Sequence, residues 1–148
     1  MKFALAVLTS FLTLTLTAFA ADLSPTNPNV PVLRFFHPIP VKARGSTPPA
    51  LTFDKQRPLL TVTKLRDLKL GRNGKSVLIR LTNEDASAFA ELTRKYQRRS
   101  LLLVATDDVM QVLDVTGPVK DGALLFDQPD DAAVATYLRR RFRVGEFK

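Results

Sequence analysis

The sequence predicts an α+β fold in which an antiparallel or mixed sheet carries two helices on one face. Three observations lead to this fold class. The segment Ser76–Thr82 alternates apolar with other side chains, as a half-buried strand does, and two later segments carry apolar residues at helical spacing. The order of elements, strand, helix, strand, strand, short strand and helix, is close to a ferredoxin-like split βαβ arrangement.

The first helix is predicted from its two ends and its apolar stripe. Thr82 or Asn83 can cap the first turn, and basic residues near position 95 suit the negative end of the helix dipole. Apolar side chains recur at spacings of three and four residues, which is typical of a helix that packs on a sheet. The residues of this stripe are Ala88, Phe89, Leu92 and Tyr96.

Two hairpins are predicted from turn signals between apolar runs. Asn73-Gly74 favours a turn that pairs Leu65–Leu70 with Ser76–Thr82. Asp107-Asp108 separates the apolar run Leu101–Thr106 from the run Val109–Val115. Because the first of these two runs is almost continuously apolar, we expect it to be a central strand.

The chain ends with a short strand and a second helix. Ala123–Phe126 follows Asp121-Gly122, and Pro129 opens the segment "DDAAVATYLRRRF". Acidic residues begin this segment and arginines end it, which matches the helix dipole. Its apolar residues Val134, Tyr137, Leu138 and Phe142 can share one face.

Residues 1–20 are predicted to be a secretory signal peptide. One basic residue, Lys2, precedes an apolar and Thr/Ser stretch, and Ala18-Phe19-Ala20 supplies a small-x-small cleavage pattern after Ala20. The predicted location is therefore periplasmic or secreted, with no transmembrane segment after cleavage. An uncleaved anchor is the alternative. The chain contains no cysteine, so stability has to come from packing.

Residues 21–58 are predicted to be a Pro-rich lead-in or linker, and residues 59–148 the folded α+β domain. Eight of the ten prolines lie between Pro25 and Pro58, and proline removes backbone donors and favours extended geometry. Within this lead-in, Val32–Phe36 is predicted to form a short edge strand.

The order of motifs resembles a known family. "GKSVLIRLTNEDASAFAELTRKY", with Phe89, Leu92 and Thr93, is similar to the strand and helix of the head subdomain in the first large periplasmic domain of SecD. "LLLVATDDVMQVLDVTGPV", with Pro118-Val119, resembles its paired strands, and "GALLFDQPDDAAVATYLRRRF" its last strand and helix. The resemblance covers residues 71–142, and "VLRFF" echoes a further short strand of that family.

This resemblance implies a free-standing exported version of a module that, in SecD, is associated with handling a translocating polypeptide. The Asp-Gly turn of the family is Asp107-Asp108 here, and the glycine that usually precedes the apolar strand is absent from "QRRSLLL". The membrane helices of SecD, which couple movement to proton flow, have no counterpart in this sequence, so motor activity is not implied.

The residues themselves predict no catalytic site, no metal site and no cofactor. Asp107 and Asp108 are adjacent on an extended chain, so their carboxylates point apart, and a turn is the favoured interpretation over an acid/base pair or a metal site. His37 is the only histidine and has neither cysteine nor a nearby acidic residue as a companion. No nucleophile elbow, phosphate loop or dinucleotide fingerprint occurs.

The basic clusters are the one feature that suggests a binding site. The net charge is +8, and arginines concentrate near both helix C-termini, where they also complement the dipoles. If the helices share a face, their ends can form one cationic patch for an anionic partner. The residues proposed for it are Arg94, Lys95, Arg98, Arg99, Arg139, Arg140, Arg141 and Arg143.

The sequence therefore predicts an exported non-catalytic module that binds protein, either unfolded or envelope polypeptide, or serves as an envelope accessory. A polyanion-binding envelope protein that uses the arginine clusters is the first alternative, and an exported hydrolase is the second. Nucleic acid is not expected as a partner, since few aromatic residues lie near the basic clusters.

Overall fold

The computed structural model describes residues 25, 27–41, 50–71, 76–128 and 131–143. The predicted signal peptide lies outside these residues, as does the Asn73-Gly74 turn. In chain order the elements are β1 (Leu33–Phe36), β2 (Ile39–Pro40), β3 (Leu51–Thr52), β4 (Leu60–Val62), β5 (Leu65–Leu70), β6 (Val77–Leu81), α1 (Asn83–Lys95), β7 (Ser100–Ala105), β8 (Asp108–Asp114), β9 (Ala123–Phe126) and α2 (Ala132–Phe142). The predicted α+β class is confirmed.

The larger sheet has four strands in the order β4-β1-β7-β8, and all its pairs are antiparallel. β1 pairs with β4 on one side and with β7 on the other. The prediction that this segment is an edge strand is therefore wrong. Prolines lie on either side of Leu33–Phe36 rather than within it, so every residue of the strand keeps its backbone donor. The Pro-rich lead-in thus contributes a central strand to the folded core.

A second sheet has the order β5-β6-β9, also antiparallel, and β2 pairs with β3 in a third, two-stranded sheet. The predicted pairing of Leu65–Leu70 with the next strand is confirmed. The strands that flank α1, β6 and β7, belong to different sheets. The ferredoxin-like detail of the prediction, which places such strands in one sheet, is therefore not confirmed.

The main core lies between one face of the four-stranded sheet and both helices. We call this face the inner face. Leu33 and Phe35 of β1 share a buried cluster with Phe89 of α1 and Leu138 of α2. The rings of Phe35 and Phe89 lie 4.8 Å apart between centroids. Both helices therefore pack on the same face of this sheet, as the sequence predicts.

The opposite, outer face carries a much smaller cluster. Phe36, Leu102 and Val104 are buried there, and Phe53 packs against them with its ring centroid 4.5 Å from that of Phe36. β7 is thus buried on both faces, and its residues from Leu101 to Ala105 are all buried. The prediction that this run is a central strand is confirmed.

Local signals account for α1 well. The Thr82 side chain caps the helix by accepting a hydrogen bond from the Asp85 N–H at 3.2 Å. Ala86 rather than Ala88 completes the buried stripe, because Ala88 is exposed. Gly122, whose φ is +61°, lies against this helix, and a Cβ there would come within 2.5 Å of the Ala86 Cβ. Only glycine permits this close approach.

The hairpin between β7 and β8 turns one residue earlier than predicted. Ala105 pairs with Asp108, so the two central residues are Thr106 and Asp107, and Asp108 is the first residue of β8. Thr106 has a φ of 58°, as the first central residue of a type II′ turn does. Further along, the register shifts between Leu103 and Val104, which leaves Met110 as an extra residue in β8. This residue forms a β-bulge.

Candidate functional site

One candidate interaction surface is the outer face near β8. Val109 and Val112 are 40% and 44% exposed, and the register places them opposite the buried residues Val104 and Leu102 of β7. The two exposed valines are therefore continuous with the small buried cluster on this face. We call the set Leu102, Val104, Val109 and Val112 the outer patch. Exposed apolar groups that extend a buried cluster are typical of interaction surfaces.

Among the elements that the structure describes, β8 is also the terminal strand of its sheet. The Val115 N–H donates to the Arg99 carbonyl at 3.0 Å, towards the β7 side. Because donors alternate in direction along an antiparallel strand, Leu113 and Gln111 also direct their N–H groups towards β7, whereas Val112 directs its own away. The backbone of Val112 therefore faces the free edge.

A cavity of about 480 Å³ lies on the helix side of this edge. Its walls come from the end of β7, the start of β8 and α2, and its lining is mainly apolar. We call it the β8–α2 cavity. Its lining includes Met110 of β8 and Ala133, Thr136, Tyr137 and Arg140 of α2.

Tyr137 connects the wall of this cavity to β1. Its hydroxyl donates to the Val32 carbonyl at 2.8 Å. Burial raises the pKa of this hydroxyl above its ordinary value, and the nearby positive charges of Arg141 and Arg34 oppose that shift. The neutral, hydrogen-bonded phenol thus holds α2 against the start of β1.

The two aspartates that the sequence singled out do not converge on one site. Asp107 lies in the turn, where its carboxylate is 3.3 Å from Arg34 and 3.6 Å from Lys55. Asp108 lies in β8 and borders the β8–α2 cavity. Asp107 is 63% exposed in its side chain, so its ion pairs stabilise the turn weakly. A turn at Asp107 agrees with the prediction, whereas Asp108 lies in the strand and not in the turn.

His37 follows β1 and is exposed. Its ring lies 5.9 Å from that of Tyr96 between centroids, at an angle of 54°. Within the described ranges, no group of three or more His, Asp or Glu residues is arranged to hold a metal ion. The contact with Tyr96 places the imidazole beside the C-terminal cap of α1.

The basic residues form two groups at opposite ends of β7. Arg98 and Arg99 immediately precede this strand. Arg141 instead binds the carbonyl of Val30, close to the start of β1, and that end of β1 pairs with the end of β7. Six strand residues span about 20 Å. The helices thus share a face, but their basic ends are far apart.

Several of these arginines have structural partners. Arg141 donates to the carbonyls of Asn27 and Val30 at 2.6 and 2.5 Å. Arg94 pairs with Glu91 one turn earlier in α1. The remaining members of the two groups differ in exposure. Lys95, Arg98, Arg99, Arg140 and Arg143 are exposed, and Arg139 is half-buried.

Sequence reasoning missed the outer patch and the free edge. Val109 and Val112 read as members of an ordinary apolar strand, and a two-residue period places them on opposite faces. The Met110 bulge brings them to the same face. The one available signal was the acidic residue at each end of the strand, which indicates solvent exposure near a sheet edge.

Within the part of the chain that the structure describes, no helix is long and apolar enough to cross a membrane. No protein-family model matches the chain, and no curated protein matches it.

Three chains of solved structures match. One is SecDF, a membrane component that enhances protein export, with a TM-score of 0.49 and 20% identity over 75% of this chain and 62% of that one. Another is SecDF in a super-membrane-facing form, with a TM-score of 0.47 and 22% identity over 61% of this chain. This chain covers 14% of that second structure. The chain is thus similar to solved structures of SecDF.

Proposed function

We propose that the protein is an exported, non-catalytic module that binds polypeptide in the cell envelope and assists its handling. The outer patch is the observation that carries this proposal. Two valines about 40% exposed adjoin buried side chains at the terminal strand of a sheet, and such a surface is suited to apolar side chains of a partner. The export setting comes from the predicted signal peptide and from the SecD-like motifs.

The chemistry near the patch favours binding over catalysis. Asp107 belongs to the turn that leads into β8, and its carboxylate forms ion pairs with Arg34 and Lys55. A general acid or base needs a pKa matched to its task and a substrate cavity around it. Asp107 is largely exposed, so it lacks the enclosure that such a role requires.

The arginine groups support the polyanion-binding alternative less well. A single patch needs its charges close together, since screening weakens interactions beyond about 10 Å at ordinary salt. The two groups lie at opposite ends of β7, and Arg141 already binds two backbone carbonyls. Binding of an anionic partner stays a prediction for both basic groups, which are Arg94, Lys95, Arg98 and Arg99 and Arg139, Arg140, Arg141 and Arg143.

Photo-crosslinking in cells that make the full chain tests the proposal. A benzophenone amino acid is placed at Val112, in the outer patch, and separately at Ser87, which is exposed on α1. We expect Val112 to yield adducts that mass spectrometry identifies as exported polypeptides, and Ser87 to yield few. Equal yields at both positions, or no exported polypeptide at Val112, would contradict the proposal.

A further inference from the structure

We propose that the free edge of β8 accepts an extended polypeptide segment as an additional strand of the four-stranded sheet. This inference rests on the proposed function and names how the partner is held. The strand offers seven residues, Asp108–Asp114, at the end of the sheet order. No described strand pairs with its other side, and an exposed edge of this length is a ready template for pairing with another chain.

The backbone supplies the first part of the site. Gln111 and Leu113 direct their N–H and carbonyl groups towards β7. Because these directions alternate along an antiparallel strand, the N–H and carbonyl of Val112, which lies between them, point away from β7. On the turn side of the bulge, Val109 pairs with Val104. It directly follows Asp108, which pairs with Ala105 next to the turn. The same alternation makes its backbone face the free edge too. A partner strand can therefore bond to β8 without breaking any bond between β7 and β8.

Side-chain surfaces lie on both sides of that edge. On the outer face, Val109 and Val112 present apolar surface to alternate side chains of the added strand. On the helix side, the other set of side chains would reach the β8–α2 cavity, beside Met110 and Ala133. Added strands gain affinity from main-chain bonds and specificity from pockets for alternate side chains. Edge, patch and cavity together supply both.

Charge favours a foreign segment over a second copy of this chain. Two copies of β8 paired antiparallel about Gln111 would place Asp108 of each copy directly opposite Asp114 of the other. Like charges in that position destabilise a sheet. The favoured occupant is therefore an extended segment with alternating apolar side chains and with basic or neutral residues at its ends.

A defined peptide tests this inference. The probe is a fluorescein-labelled peptide of nine residues in which threonine and valine alternate between two terminal lysines, and binding to the full chain is followed by anisotropy. Val112→Pro removes the outward N–H, and we expect it to weaken binding about tenfold, as the loss of one well-placed hydrogen bond does. Val112→Thr keeps the N–H and the side-chain shape, so its affinity should stay close to that of the unaltered protein.

Two further measurements guard against a trivial loss of folding. Amide hydrogen exchange on the unaltered protein should slow at Val112 when the peptide is added, whereas Gln111 and Leu113 should be protected with or without it. A peptide with glutamate in place of both lysines should bind more weakly, because Asp108 and Asp114 then face like charges.

The edge is excluded as the binding site if Val112→Pro binds as tightly as Val112→Thr, or if exchange at Val112 does not respond to saturating peptide. Absence of any binding by the unaltered protein would also overturn the inference. Crosslinking from the Val112 side chain would still report a partner that lies across the outer face, so the proposed function can survive the failure of the edge model. If the unaltered protein forms dimers and Val112→Pro abolishes them, the occupant of the edge is a second copy of this chain. The inference of a foreign segment is then wrong.

Discussion

The inner and outer faces of the four-stranded sheet are built from the same strands but are covered very differently. Both helices pack on the inner face, where Phe35 meets Phe89. The outer face has three buried side chains, with Phe53 as its partly buried cover, and two of its valines stay exposed. β7 is apolar on both sides, so its sequence demands cover on both faces. On the outer face, the side chains of β8, the last strand in the sheet order, are only partly covered.

The largest expected difference between the faces is in the cost of removing a side chain. Phe35→Ala should lower the free energy of unfolding by about 3 to 5 kcal/mol, because it leaves a cavity in the main core. Val112→Ala should cost less than about 1 kcal/mol, because that side chain is already 44% exposed. Guanidinium denaturation followed by circular dichroism measures both. Similar losses would show that the outer patch is part of the stability core.

The next effect concerns how the helix layer is fastened to the inner face. Arg141→Gln should destabilise the protein by about 1 to 2 kcal/mol, because the Asn27 and Val30 carbonyls lose a charged donor. Arg140→Gln is the matched control, since Arg140 directly precedes Arg141 in α2 and is exposed. This substitution should change the free energy of unfolding by less than about 0.5 kcal/mol. Equal effects in the same denaturation experiment would contradict the structural role of Arg141.

Tyr137 makes the second fastening, and Tyr137→Phe should cost about 1 kcal/mol through loss of the bond to the Val32 carbonyl. The same group predicts a pH dependence. Burial raises its pKa in the folded protein above the ordinary value of 10.0, so the unfolded chain loses its proton first. This contribution to stability is complete below pH 10 and declines as the pH rises through the folded value. Above pH 10, the free energy of unfolding should therefore decrease more steeply with pH for the unaltered protein than for Tyr137→Phe. Denaturation curves recorded at several pH values measure this.

The smallest effect lies in the turn between β7 and β8, where the two faces meet. Thr106→Gly should stabilise the protein by about 0.5 to 1 kcal/mol, because a β-branched residue there has a φ of 58°. The Thr106 carbonyl that Arg34 contacts is kept. Asp108→Gly should bring no gain, since Asp108 is already in the strand. Thermal melts distinguish the two, and a gain from Asp108→Gly alone would restore the turn position that the sequence predicts.

Much of the fold could be predicted because its signals are local. The cap at Thr82, the apolar stripe with Phe89 and Leu92, and the continuous run of β7 each depend on neighbours in sequence. The division into several sheets could not be predicted, since it depends on which strands meet across long stretches of chain. The edge position predicted for β1 is wrong for the same reason, because its pairing with β4 and β7 joins distant stretches of chain. The prolines near Leu33–Phe36 favoured the edge position in the sequence.

The candidate site was predicted least well. The sequence draws attention to charges, and the arginines do gather at the helix ends as expected. Whether those ends meet depends on helix direction over the sheet, and Arg99 and Arg141 lie at opposite ends of β7. The exposed valines were hidden because an apolar residue in a strand is ordinarily buried, and only the strand order shows that β8 has no further neighbour among the described elements.

The extra residue Met110 changes which side chains of β8 face the outer side of the sheet. If the pairing of Val104 with Val109 continued without a bulge at Met110, the outward positions would be Val109, Gln111 and Leu113, and Val112 would turn to the core. With the bulge, Gln111 and Leu113 pair with Leu103 and Leu101, and a second valine faces outward instead. A single irregular residue thus determines which chemistry the edge of the sheet displays. Deleting Met110 should leave Val109 and Val112 both outward, because the remaining residues of β8 already pair with β7 in regular alternation.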